Sequence, residues 1–153
     1  MILLCKRAFV PIVILLCAAL AACSSNALSA AAKAESAISL ACSSAFTITT
    51  QAQTSGLISL ADATAVVNVL LTVEQANQQA EMATAAIAAA PTTAGLAGLP
   101  NILAPVSTAL TNAINGGFVG IKDAGTKQKI ILALTTAQTV LTGAIAISGA
   151  VKS

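Results

Sequence analysis

Few side chains in this sequence are able to do chemistry. The thiols are Cys5, Cys17, Cys23 and Cys42, and the carboxylates are Glu35, Asp62, Glu74, Glu81 and Asp123. There is no histidine, tryptophan or tyrosine, and Arg7 is the one arginine. The commonest general base and metal ligand is therefore missing. The cysteines have neither CxxC spacing nor a metal-site rhythm. Glu74 and Glu81 stand two helical turns apart, a spacing open to a carboxylate pair, but no basic group or pocket-forming stretch accompanies them. No phosphate-cradling loop and no GxSxG elbow occurs. No catalytic residue, metal ligand or cofactor is expected, and the chain does not read as an enzyme.

The cysteine with the most telling position is Cys23. Residues 1–22 read as a leader in three parts. Lys6 and Arg7 supply positive charge, Ala8 to Leu20 is an uncharged apolar run, and Ala21 and Ala22 are small residues before a cleavage point. The run is shorter than the roughly 20 residues of a spanning helix, and Pro11 interrupts it. The junction Leu20-Ala21-Ala22-Cys23 resembles the lipobox of bacterial lipoproteins. That resemblance implies that the Cys23 thiol carries a diacylglyceryl thioether. It also implies that a signal peptidase recognises Leu20, Ala21 and Ala22 and cuts before Cys23, and that the new amino group is open to acylation. The implied partner is the lipid membrane. Ser24 follows the cysteine where an aspartate would retain such proteins in the inner membrane. The implied location is thus the periplasmic face of the outer membrane in a Gram-negative cell. Two or more acyl chains anchor stably, each buried CH₂ contributing about 0.8 kcal/mol. On this reading Cys5 and Cys17 leave with the leader and Cys42 becomes the remaining free thiol. It reads as a buried small hydrophobe, with an intermolecular disulfide as the alternative.

Removing Lys6 and Arg7 also removes the formal net charge of +2. Residues 23–153 hold as many lysines as acids, without the clustered cations that phosphate binding needs. No nucleic-acid partner is expected.

The elements that must carry these residues are helical. The 153 residues are 57% apolar but 2% aromatic and 8% charged, so any core is built from Ala, Val, Leu and Ile, with helices approaching closely. A polar tether at 23–26 leads into a helical domain over 27–153. The first helix spans about Ala27 to Thr54, with a face of Ala31, Ala34, Ile38, Ala41, Ala45 and Ile48. Its β-branched second half is weak, and Gly56 stops it. Ser59 and Asp62 mark a near capping box for the second helix. The apolar seam of that helix is Val66, Val69, Val73, Ala76, Ala80, Ala83 and Ile87. Glu74, Gln78 and Glu81 share another face, read as solvated. Pro91 ends this helix, and residues 91–100, with two prolines and two glycines, read as a loop.

The third helix begins near Asn101 with Pro105 in its first turn, and lines up Leu103, Val106, Leu110, Ala113 and Gly117. Gly116 and Gly120 form a GxxxG spacing, read as a helix end or tight turn. A fourth helix covers about Gly125 to Val151. Its apolar face is Ile130, Leu134, Ala137, Leu141, Ala144 and Val151, with Thr135, Gln138 and Thr142 opposite. Residues 130–151 carry no charge, so a membrane-inserting helix stands beside the packed one.

The predicted fold is all-α, a small three- or four-helix up-down bundle. The predicted role is a non-catalytic structural or interaction module on a membrane. Its expected partners are lipid, a second copy of itself or another envelope protein. The alternative is a membrane-active protein whose helix over about 124–151 inserts or oligomerises, a pattern shared with small phage- or prophage-encoded proteins.

Overall fold

The computed structural model describes residues 27–150. They form four helices: α1 (Ala27–Thr54), α2 (Leu60–Ala89), α3 (Thr93–Gly116) and α4 (Ala124–Gly149), with no strand among the described residues. Helix α1 packs on α2 and on α4, α2 packs on α3, and α3 on α4. The contact between α1 and α3 across the ring is slight. Short connections and this cyclic order make an up-down four-helix bundle.

Each helix boundary has a local cause. Gly56 takes φ +70 after α1. The Leu57 amide then donates to the Ala52 carbonyl at 2.8 Å, and the Gly56 amide to that of Gln53 at 3.1 Å. This is a Schellman turn, and glycine supplies the left-handed position without a Cβ penalty. Ser59 caps α2 in a full capping box, its Oγ accepting from the Asp62 amide at 3.1 Å. Asp123 caps α4, its Oδ2 accepting from the Thr126 amide at 2.6 Å.

The β-branched half of α1 stays helical to Thr54. Thr47, Thr49, Thr50 and Thr54 each donate a hydroxyl to the carbonyl four residues back. The hydroxyls are thereby satisfied within the helix instead of competing with it.

The expected loop over 91–100 shrinks to Pro91 and Thr92, and residues 93–100 are helical. Thr92 is an N-cap, accepting from the Gly95 amide at 3.0 Å, and α3 runs from Thr93 with Pro100 and Pro105 inside it. An interior proline removes a backbone donor and costs about 3 kcal/mol. A stripe of fully buried Leu99, Leu103, Val106 and Leu110 outweighs that cost. Tertiary packing here overrides local propensity. Helix α3 ends at Gly116, so the GxxxG spacing falls on a helix end and the following turn.

The core is mostly small and aliphatic. Helix α1 contributes Ala31, Ala34, Ala37, Ala41 and Ala45 around Ile38, and α4 contributes Ile130, Leu134, Ala137, Leu141 and Ala144. The expected faces of α1, α3 and α4 are thus the buried ones, apart from partly buried Ile48 and Gly117. Val151 lies outside the described residues. The seam of α2 is turned from its expected phase. Its buried residues are Ala63, Val66, Leu70, Val73, Asn77, Ala80 and Thr84, while Val69, Ala76, Ala83 and Ile87 are only half-buried. Val66, Val73 and Ala80 belong to both phases. The reason lies in the polar residues that α2 brings inward.

Candidate functional site

Leu20, Ala21, Ala22, Cys23 and Ser24, which carry the lipobox resemblance, lie outside the described residues. Within the bundle, Glu35, Cys42, Glu74 and Glu81 gather between α1 and α2. Glu35 on α1 is 5% exposed and sits between buried Ala34 and Ala37. Thr84 on α2, also buried, donates its hydroxyl to Glu35 Oε1 at 2.6 Å. Two helical turns back along α2 from Thr84, Asn77 is fully buried. Its Nδ2 donates to the Glu35 carbonyl at 3.1 Å, to Ser39 Oγ at 3.1 Å and to Glu81 Oε1 at 2.9 Å. Ser39 in turn donates to Glu74 Oε1 at 3.0 Å. Glu35, Ser39, Glu74, Asn77, Glu81 and Thr84 thus form one connected polar ladder across an otherwise apolar contact.

Two expected features of α2 change accordingly. Glu74 and Glu81 are not on a solvated face: both are half-buried and hydrogen-bonded in the ladder, and Gln78 alone of the three is exposed. The residues at 77 and 84, polar by type, occupy core positions. A heptad phase of 63, 66, 70, 73, 77, 80 and 84 is present in the sequence. Asn and Thr at two of its steps disguise it, and only the partner on α1 makes their burial tolerable.

The electrostatics of the ladder follow from burial. Removal from water pushes the Glu35 carboxyl above its usual range; the Thr84 hydroxyl pulls it back and the nearby Glu81 charge adds to the rise. Glu74 Oε2 and Asn77 Oδ1 are buried without a hydrogen-bond partner. Such groups make a polar network demanding, because a half-satisfied member costs more than an apolar one.

Beside the ladder an open groove of ≈ 300 Å³ is lined by Ser39, Cys42, Ser43, Phe46, Val67, Leu70, Leu71 and Glu74. Cys42 is buried, as expected of a small hydrophobe. Burial first, then the Glu74 carboxylate beside it, push its thiol up to about 12. The sulfur therefore stays protonated near neutrality and is a poor nucleophile. Neither a raised carboxyl nor an inert thiol has a basic partner in this cluster. Among the described residues no group of three or more Cys, Asp or Glu is arranged to hold a metal ion. The chemistry available is proton binding and structural specification: an antiparallel pairing of α1 and α2 in this register makes the ladder's hydrogen bonds, and a slip of one turn breaks them.

A second polar contact joins α3 to α4. Gln138 Nε2 donates to Ser107 Oγ at 3.0 Å, which draws this glutamine out of the exposed face on which Thr135 and Thr142 remain. Helix α4 is long and apolar enough to cross a membrane by length and composition. Its apolar face nevertheless lies against α1 and α3. No family model, curated protein or solved structure matches this chain.

Proposed function

We propose that this chain is a membrane-anchored, non-catalytic interaction module, a four-helix bundle held at a bilayer through acylated Cys23. The observation that carries the reading is the Leu20-Ala21-Ala22-Cys23 junction set immediately before a folded unit. Helix α1 starts at Ala27. The four residues from 23 to 26 reach at most about 14 Å in any conformation. An acylated Cys23 therefore confines the whole bundle to a thin layer above the lipid, which raises its effective concentration towards membrane partners. In a Gram-negative cell, Ser24 favours the periplasmic face of the outer membrane. The closed bundle suits this role, because the apolar faces of its helices pack against one another and the unit holds together beside the lipid.

The test is the intact mass of the protein from the membrane fraction, beside a Cys23→Ser variant. The native protein begins at residue 23 with added acyl mass, and the variant keeps its leader and lacks that mass. A native protein without acyl groups sinks the reading.

A second reading has one observation in its favour, the length and apolar composition of α4. In it the bundle opens and α4 enters the bilayer. Insertion would strip Ile130, Leu134 and Leu141 of their partners on α1 and α3, which makes it the costlier arrangement. Protection of residues 124–149 from protease in intact vesicles is the result that would favour it.

A further inference from the structure

The up-down topology places two turns at the end of the bundle farthest from Ala27: residues 55–59 between α1 and α2, and residues 117–123 between α3 and α4. They are adjacent. A Cβ on Gly120 would lie 3.2 Å from Asp62 Oδ1, and one on Gly117 would lie 2.8 Å from Val69 of α2. Each turn sends apolar residues both ways. Ile58, Phe118 and Ile121 point inward and close the core, at 7%, 2% and 5% exposed. Leu57, Val119 and the adjoining Leu60 point outward at 56%, 75% and 71%. Val119 and Leu60 are the two most exposed large hydrophobic residues of the described chain. Since the inward residues already seal the end, packing gives no reason for the outward ones.

Most of the described lysines also gather at this end. Lys122, Lys127 and Lys129 stand here, whereas Lys33 is the one other described lysine. Asp62 and Asp123, which cap α2 and α4, are also here and Asp123 lies near Lys129, so the tip carries a small excess of positive charge. Lys127 lies at the end of the first turn of α4, where the helix dipole disfavours a cation. A locally unfavourable placement of this kind points to a use outside the fold.

We propose that this tip is a docking surface for an anionic phospholipid bilayer, with Leu57, Leu60 and Val119 entering the interface and Lys122, Lys127 and Lys129 meeting phosphates. Aliphatic bulk ringed by lysine is what a fluid anionic surface requires. A protein partner would call instead on the Trp, Tyr and Arg that anchor such interfaces, and the described residues have none of them. Helix α1 is 28 residues long, so the tip lies about 40 Å from the end nearest Cys23. The tip and the acyl anchor are then two separate points of membrane contact, and the bundle lies along the bilayer when both engage. The tip's affinity rests on its own residues and not on acylation.

The chain contains no tryptophan, so one introduced indole reports alone. Full-length protein carrying Val119→Trp, Leu132→Trp or Ala89→Trp is added to vesicles of phosphatidylcholine with or without phosphatidylglycerol, the acyl chains being brominated. Val119→Trp is expected to be quenched in the anionic vesicles only. Leu132→Trp, on the flank of α4, and Ala89→Trp, at the opposite end, are the references. Replacing Lys122, Lys127 and Lys129 by Gln should weaken docking on the order of 100-fold, and salt should weaken it too. Leu60→Trp repeats the test if Val119→Trp disturbs the helical circular dichroism. Absence of quenching at both tip positions, equal quenching in neutral vesicles, or quenching at Ala89→Trp in place of the tip overturns the proposal. An acidic protein partner would give the first of these outcomes. The acyl mass of the same preparation is read separately, so loss of the anchor and loss of tip docking are told apart.

Discussion

Thr84 reaches from α2 to place its hydroxyl 2.6 Å from the carboxylate of Glu35 on α1, in a site closed to water and 49 residues away along the chain. A carboxyl group buried in an alanine-rich interface is destabilising unless a donor meets it. Here the donor arrives only when the two helices are in the observed register.

Removing that donor should therefore be costly. Thr84→Val keeps the shape and deletes the hydroxyl, and is expected to destabilise the bundle by about 1–3 kcal/mol. Glu35→Gln retains an acceptor for Thr84 and should cost less. Chemical denaturation followed by circular dichroism measures both. A Thr84→Val midpoint equal to that of the unmodified protein would show that the contact carries no weight.

Stability should fall as pH rises through the titration of Glu35. Its carboxyl sits above the ordinary value of 4.5 because of burial, with Glu81 adding to the shift. The folded state thus holds this proton more tightly than the unfolded chain does. The contribution is fully present below 4.5 and is lost as pH climbs through the folded value. Asp123 runs the other way: its hydrogen bonds to Thr126 lower its pKa, so its contribution is present above 3.8 and fades in stronger acid. Denaturation midpoints between about pH 4 and 8 should decline for the unmodified protein and flatten in Glu35→Gln. Parallel curves would count against the burial of Glu35.

Cys42 should resist alkylation. A thiol at about 12 presents, near pH 8, a thiolate fraction on the order of 1,000-fold smaller than an ordinary cysteine. Maleimide labelling quantified on the peptide containing Cys42 should be slow in buffer and fast in guanidinium. Rapid labelling in buffer would mean that the α1–α2 groove opens readily.

Helix α3 is expected to tolerate, and gain from, loss of its interior prolines. Pro105→Ala restores an amide to the Asn101 carbonyl and Pro100→Ala one to that of Leu96. Each should raise the thermal midpoint, by up to about 3 kcal/mol of stability for an unkinked helix. Unchanged or lower midpoints would show that the prolines are matched to a local bend or to the unfolded chain.

Much of the bundle is legible in the sequence because its signals are local. The i, i+3, i+4 spacing from Ala31 to Ala45, the Ser59–Asp62 cap and the Gly56 stop each depend on residues within one or two turns. The start of α3 is hidden because Pro and Gly at 95–100 argue locally against helix, and only the buried Leu99 stripe, a tertiary effect, answers them. The polar ladder is hidden for a related reason. Asn77 and Thr84 look like solvent-facing residues until Glu35, more than forty positions away, is placed opposite. The hydrophobic pattern of α2 allows two phases, and that pairing decides between them. Asp123 is hard to read as a cap because Lys122 beside it makes the pair resemble a charged turn.

The most extensive helix pairing in the bundle joins the first helix to the last. Helices α1 and α4 are separated in sequence by the whole of α2 and α3, so the ring cannot close until α4 has been synthesised. A chain built in this way stays open while it is being made. Under the export proposed above, such a delay would leave the chain extended for threading through a translocation channel, with its final shape attained on the far side.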